Sequence, residues 1–276
     1  MKSKINILKI GKWLLSAVLF LIFFIPFYWM ALTSLETTAQ TLQTPPLFFV
    51  LKPQFENFIT AFNAIDYLHY FKNSVVVTAG VLIIQMVTVV PAAYAFARYE
   101  FKGKGLLFGM VLATTMIPSQ LVFLPVFLIL SKMGLINTYW SLILPQAASA
   151  FGIFMLRQNF MQVPKDLIEA ARMDKAGEFK IVFQIMIPMA RSTIVTLALL
   201  TFISTWNDYF WVKVLTTNET VRTLSMGMTM LREVESGLVS NNIVMAGNLI
   251  MLVPVLIAFV LAQKQILKAF AYTGVK

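Results

Sequence analysis

Met161-Gln162-Val163-Pro164-Lys165-Asp166-Leu167-Ile168-Glu169-Ala170-Ala171-Arg172-Met173-Asp174-Lys175-Ala176-Gly177 is a polar, charge-dense island between two runs of membrane-grade hydrophobicity. It reads as a helix start. Pro164 suits a first helical position, where its missing N–H costs nothing. Asp166 and Glu169 place negative charge at the positive end of the helix dipole. Leu167, Ile168 and Ala171 fall at helical spacing and form a short apolar face. After Lys175-Ala176-Gly177 the chain can turn. Phe179, Val182, Phe183 and Met186 then make a second amphipathic face, ended by Pro188. Two uses fit such a charged helical knob: docking to a partner, or lying on lipid headgroups. The interleaved acids Asp166, Glu169, Asp174 and Glu178 work against adsorption to an anionic surface.

The surrounding chain is membrane material. Of its 276 residues 59% are hydrophobic and only 12% are charged, against about 25% charged in a soluble domain. Mean hydropathy is +0.78. A bilayer removes the need for a charged surface, because apolar side chains can face lipid. With no cysteine there is no disulfide framework, and with His69 as the single histidine there is no ligand set for a transition metal.

A membrane-crossing helix needs about 20 mostly apolar residues. Trp13–Leu35 supplies the first run; it is too long for a signal-peptide core and lacks a cleavage site beyond it, so it is read as retained. Further runs cover Ser74–Ala97, Gly105–Leu130, Tyr139–Leu156, Met189–Phe210 and Ile243–Ala262. The expected fold is therefore all-α: a polytopic membrane protein with six transmembrane helices and a cytoplasmic helical loop. Its parts are an N-terminus (1–12), a first helix (13–35), an external loop (36–70), a five-helix core (71–265) holding the island (158–188), and a C-terminus (266–276). Pro26, Pro91, Pro118, Pro125, Pro145 and Pro254 sit in or beside the runs, as packing kinks or as bends of a translocation path.

Basic residues set the orientation. With the N-terminus inside, 16 of the 22 Lys and Arg fall on inner segments and 6 on outer ones. That bias obeys the positive-inside rule and places both termini in the cytoplasm. The net charge of +10 is thus a topology signal and not a nucleic-acid footprint.

Chemistry-bearing patterns are sparse. Gly103-Lys104-Gly105 lacks the spacing of the phosphate-cradling GxxxxGK[ST] pattern, so if ATP drives this protein its hydrolysis must occur on another polypeptide. No Ser/His/Asp, HExxH or paired-carboxylate set occupies the spans, and the chain is not expected to be an enzyme. The runs carry no interior Asp, Glu or His, which argues against the alternative of an ion-gradient-driven secondary transporter. Candidate pathway residues are Gln120, Asn137, Gln146, Trp206, Asn207 and Asp208. The Trp206–Trp211 cluster offers aromatic faces beside polar groups, as a ligand contact or as an interfacial aromatic belt. Asn73 and Ser74 are read as caps of the second span, and His69 as an interfacial residue.

The island also resembles the "EAA" loop of ATP-binding-cassette importer permeases, whose pattern is Glu-Ala-Ala, three residues, Gly, nine residues, Ile-x-Leu-Pro. Here it falls on Glu169-Ala170-Ala171, Lys175, Ile185, Ile187 and Pro188. Lys175 stands where the family has glycine, so Gly177 is left to supply the flexible point. Ala92–Arg98, Met116–Pro118, Gly134–Thr138, Gly152–Gln158, Trp206–Asp208 and Arg222–Leu224 are similar to the second permease of the carbohydrate-uptake branch.

The resemblance implies a permease subunit of an ATP-driven, binding-protein-dependent importer in a bacterial or archaeal inner membrane. It would pair with a homologous permease, an ATPase dimer that holds ATP and Mg, and an extracytoplasmic solute-binding protein that delivers a carbohydrate-like solute. This chain would bind no cofactor itself. Glu169, Ala170, Ala171, Arg172, Asp174, Lys175, Ala176, Gly177, Ile185 and Pro188 would seat in the ATPase.

Overall fold

The computed structural model describes residues 7–234 and 240–271. The expected terminal segments lie partly outside these, at residues 1–6 and 272–276. Every regular element among the described residues is helical. In chain order the α-helices begin with α1 (Ile7–Ser34), α2 (Thr38–Thr41), α3 (Glu56–Asn63), α4 (Tyr67–Arg98) and α5 (Lys104–Ala113). There follow α6 (Phe123–Lys132), α7 (Tyr139–Ile143), α8 (Ala150–Gln162), α9 (Lys165–Met173) and α10 (Glu178–Ile181). The last are α11 (Ile187–Met189), α12 (Arg191–Trp206), α13 (Phe210–Leu215), α14 (Leu224–Val234) and α15 (Asn241–Ala271).

Three helices can cross a bilayer unbroken: α1 from Gly11 to Ser34, α4, and α15 from Asn241 to Leu267. Helix α1 has 28 residues and so spans about 42 Å, more than the roughly 30 Å hydrocarbon core. None of its apolar window is buried within the chain, which suits a lipid or partner environment.

The other three expected spans are bent pairs. Lys104–Met116 and Ser119–Lys132 meet at 96°. This corrects the reading of Gly105–Leu130 as one continuous run. Ile117 precedes Pro118 and is extended, with φ −90° and ψ 115°, because a proline disfavours the helical conformation in the residue before it. Thr114 and Thr115 hydroxyls bond back to the Val111 and Leu112 carbonyls at 2.7 and 2.6 Å, covering acceptors that the broken ladder leaves open. Tyr139–Gln146 and Ala150–Gln162 are bent by 47° around Pro145. Ser149 restarts the helix by accepting the Gly152 N–H at 3.0 Å. Glu178–Met189 and Arg191–Trp206 meet at 82°.

The chain divides into two units. The first comprises Met1–Tyr67 and Gly227–Val253. Within it Asn57 is buried and donates to the carbonyls of Ser34 and Glu36, both at 2.8 Å, while Asn242 donates to its side-chain oxygen at 3.0 Å. Asn57 thus supplies a donor to the last-turn carbonyl that α1 cannot satisfy internally. The second unit comprises Leu68–Met226 and Pro254–Lys276. One of its cores joins Val89, Val90 and Ala93 of α4 to Leu156 and Phe160 of α8 and Leu197 of α12. Another joins Val77 and Val81 of α4 to Leu130, Leu142 and Leu215.

Candidate functional site

Helix α8 runs on to Gln162, so the island proper begins at Val163. Pro164 precedes α9 in an extended conformation. Asp166 in the first turn and Arg172 in the last both match the helix dipole. The apolar face is narrower than the spacing suggests. Ile168 is buried and Ala171 packs against the same core, whereas Leu167 is exposed.

The turn after α9 rests on Lys175. Its φ is +59°, its N–H bonds to the Arg172 carbonyl at 2.9 Å, and the Ala176 N–H bonds to the Ala171 carbonyl at 2.9 Å. These two bonds form a Schellman motif, whose left-handed position is usually glycine. Lys175 therefore carries the left-handed conformation itself. Gly177 does not supply the flexible point expected of it, since its φ is −69° and its ψ 160°.

Glu178 opens α10 and ties the island down. Its carboxylate accepts from the Tyr94 hydroxyl of α4 at 2.5 Å, and from Nη2 and Nε of Arg172 at 3.0 and 3.2 Å. Arg98 adds a second tie: its guanidinium donates to the carbonyls of Phe160 and Val163, where α8 ends without intrahelical partners. Beyond α10 the backbone opens into a π-helical turn over Val182–Met186. Pro188, lacking an N–H and crowding the carbonyl four residues back, accounts for that widening.

The second apolar face divides in two. Ile181, Val182 and Met186 are buried. Phe179 and Phe183, expected to share that face, instead point outward, 83% and 61% exposed. Their rings stack 6.3 Å apart and 6° from parallel, and Met173 is also exposed. Among the predicted docking residues, Glu169, Ala170, Arg172, Asp174, Lys175, Gly177 and Pro188 are exposed, while Ala171, Ala176 and Ile185 are half-buried. The outer surface of the island is thus an aromatic stack in a mixed-charge setting. Its inner side is anchored to α4.

The predicted pathway residues do not form one cluster. Gln146 and Asp208 do meet: Gln146 Nε2 donates to Asp208 Oδ2 at 3.1 Å, and Thr205 donates to Gln146 Oε1 at 3.0 Å. Asp208 lies past the end of α12; its Oδ1 accepts from the Trp211 N–H at 3.1 Å. Burial pushes its carboxyl above the usual range, opposed by the N–H groups of Trp211 and Phe210. Trp206 is buried and stacks on Phe202 at 5.4 Å. Asn207 caps α12 and donates to the Ile203 carbonyl at 2.8 Å. Gln120 is exposed on the turn after Pro118. Asn137 adopts φ +64°; it donates to the Thr217 hydroxyl at 2.8 Å and accepts from the Thr217 N–H at 2.7 Å.

Sequence reasoning passed over Gln85, which is buried in α4. Its Nε2 donates to the Gln146 carbonyl at 2.8 Å, and its Oε1 accepts from Thr201 at 2.9 Å. Thr88, one turn on, donates to the Ala147 carbonyl at 2.6 Å. Both carbonyls are left open by the break at Pro145, and α4 supplies their donors. The lone signal was a Gln inside an apolar run. Asn73 and Ser74 are not caps. They sit inside α4, Asn73 donating to the Thr220 and Arg222 carbonyls at 3.1 and 2.9 Å and Ser74 accepting from the Leu224 N–H at 2.8 Å. His69 Nε2 lies 3.1 Å from the Glu219 carbonyl on the same loop. No group of three His, Cys, Asp or Glu able to hold a metal occurs among the described residues.

Residues 89–270, which include the island, its anchors Tyr94 and Arg98, and the Gln146–Asp208 pair, match the family of binding-protein-dependent transport system inner membrane components. The chain belongs to that family. Curated relatives of this permease extend the match. It is 36% identical over 223 residues to the probable ABC transporter permease protein YurM of Bacillus subtilis, covering 80% of the chain and 73% of the relative. It is 32% identical over 222 residues to the arabinooligosaccharides transport system permease protein AraQ of Halalkalibacterium halodurans, covering 80% and 79%. Among solved structures, a bacterial ABC transporter involved in import of the acidic polysaccharide alginate superposes with a TM-score of 0.82 over 96% of the permease and 98% of that chain. At 23% identity that likeness speaks for the fold.

Proposed function

We propose that this permease forms half of the translocation path for a sugar or sugar-like solute and is driven through its island by a separate ATPase dimer. The observation that carries the reading is the division of the island into two sides. Ile168, Glu178 and Met186 hold the inner side to the second unit's core and to Tyr94. Phe179 and Phe183 stand exposed on the other side. Exposed aromatic pairs ringed by polar groups are the usual anchors of protein interfaces. Motion imposed on that stack would reach α4 through packed side chains and hydrogen bonds.

The remaining assignments follow from the family and the charge distribution. The island and both termini face the cytoplasm, where 16 of 22 basic residues fall. The second half of the path is a homologous permease, and an extracytoplasmic protein delivers the solute. ATP and Mg are held by the ATPase, and this chain performs no covalent chemistry. The names of the curated relatives support a carbohydrate solute: arabinooligosaccharides for AraQ and lactose for LacG of Rhizobium radiobacter. A further structure, of the alginate transporter with a periplasmic protein bound to an alginate pentasaccharide, supports the delivery step by its fold alone.

The test is the double variant Glu169→Lys, Ala170→Asp, which reverses one charge and plants another on the exposed side of α9. Membrane association of the ATPase and solute uptake should both collapse while the permease stays in the membrane. Intact uptake with intact ATPase association would remove the docking role.

A further inference from the structure

The first unit contains a cavity of about 200 Å³ beside the end of α1, the end that the lysine distribution assigns to the outside. Glu36 lines it and is 4% exposed. Among the described residues no hydrogen bond or ion pair reaches its carboxylate, and burial pushes that carboxyl above the usual range. A buried polar group without a partner is costly unless a ligand or water satisfies it.

The rest of the lining narrows the ligand. Its polar members are Thr33, Gln40, Thr41 and Asn241. Gln40 Oε1 is taken by the Thr37 N–H at 2.9 Å, so its amide N–H₂ is left to donate. The Thr41 hydroxyl donates to the Thr38 carbonyl at 2.8 Å, so its oxygen is left to accept. Trp29, Pro46 and Met245 form the apolar wall. Among the described residues no Lys, Arg or His lines the cavity. An anion would meet Glu36 without any compensating cation. A cation would satisfy the carboxylate but not the Gln40 amide N–H₂, which needs an acceptor. A hydroxylated ligand both donates and accepts at each oxygen, and can lay its C–H face on Trp29. At about 200 Å³ the space is below the roughly 300 Å³ at which drug-sized pockets begin, which fits one ring and not an oligosaccharide.

We propose that this cavity is a binding site for a single neutral sugar ring or polyol, with Glu36 and Thr33 as its inner hydrogen-bonding pair and Trp29 as its stacking wall. All of its lining residues belong to the first unit. The inference rests on the proposed function for the solute class, and on nothing in how ATP hydrolysis is coupled.

The test uses the full chain in lipid nanodiscs, without nucleotide or partners. Saturation-transfer NMR would be recorded with D-glucose, D-glucuronate and choline as separate probes. D-glucose should give transfer, D-glucuronate and choline little. The D-glucose signal should drop about tenfold in Glu36→Ala, as loss of a buried hydrogen bond requires, and persist in Glu36→Gln, which keeps the hydrogen-bonding shape. Trp29→Leu is a second probe of the same wall and should weaken it too. Choline binding that Glu36→Gln abolishes would overturn the proposal in favour of a cation site. D-glucose transfer unchanged in both Glu36→Ala and Trp29→Leu, or absent from the parent chain, would also overturn it. In every case the ATPase-docking test above stands or fails separately.

Discussion

The Tyr94 hydroxyl donates a 2.5 Å hydrogen bond to the Glu178 carboxylate, joining α4 to the first turn of α10. Tyr94 is buried, so the bond is shielded from competing water on the side that faces the core. Because Arg172 shares the same carboxylate, one residue gathers α4, α9 and α10. A hydrogen bond to a charged group contributes roughly 1.5–3 kcal/mol. A double-mutant cycle with Tyr94→Phe and Glu178→Gln, read by chemical denaturation in detergent, should return a coupling energy of about that size. Strictly additive single variants would show that α4 and the island are held by packing alone.

Arg172 is a weaker contributor. Its side chain and that of Glu178 are 45% and 43% exposed, and exposed ion pairs contribute about 0–1 kcal/mol. Arg172→Ala should therefore cost far less stability than Tyr94→Phe, and its effect should shrink in high salt.

Lys175 occupies a left-handed position at φ +59°, which costs a side-chain-bearing residue roughly 1–2 kcal/mol. Lys175→Gly should raise the melting temperature by relieving most of that, less the greater backbone freedom of glycine when unfolded. Lys175→Val should lower it. Equal melting temperatures for the three chains would place the turn elsewhere.

Phe179→Ala and Phe183→Ala remove exposed rings and should leave permease stability within about 0.5 kcal/mol. Each should weaken ATPase association by roughly 2 kcal/mol, the scale of an interface hot spot. Co-purification of the ATPase across a detergent wash series would measure it.

Asp208 gives a pH signature. Burial raises its folded pKa above the ordinary 3.8, so the folded state binds more protons and stability falls as pH rises from 3.8 through the folded pKa. Asp208→Asn abolishes that loss. Its melting temperature should match the parent's most closely in acid and gain on it toward neutral pH. A gap that is constant with pH would mean that the carboxyl is not titrating in its buried site.

Much of this architecture was legible in the residues. Apolar runs long enough to cross a bilayer located α1, α4 and α15, and Lys and Arg placement suggested an orientation. The bends were only half visible. Pro118 and Pro145 announced them, yet the 96° turn at Pro118 also needed Ile117 in an extended conformation. The donors that repair the broken ladders were not legible. Gln85 and the Gln146 carbonyl lie 61 residues apart, and Asn73 and the Thr220 carbonyl 147 apart, so no local pattern links them. On the island, helical spacing grouped Phe179 with Val182. Only Val182 and Met186 of that stripe pack inward, with Ile181, while Phe179 and Phe183 face out. The left-handed turn sits at Lys175 and not at Gly177, because the Schellman bonds fix its place relative to the end of α9.

Proteoliposome uptake, with the permease reconstituted either alone or with its ATPase, partner permease and binding protein, tests the central claim most directly. The account predicts solute accumulation in the complete assembly with ATP and none when the ATPase is left out. Accumulation by the permease alone, under an ion gradient and without nucleotide, would contradict it.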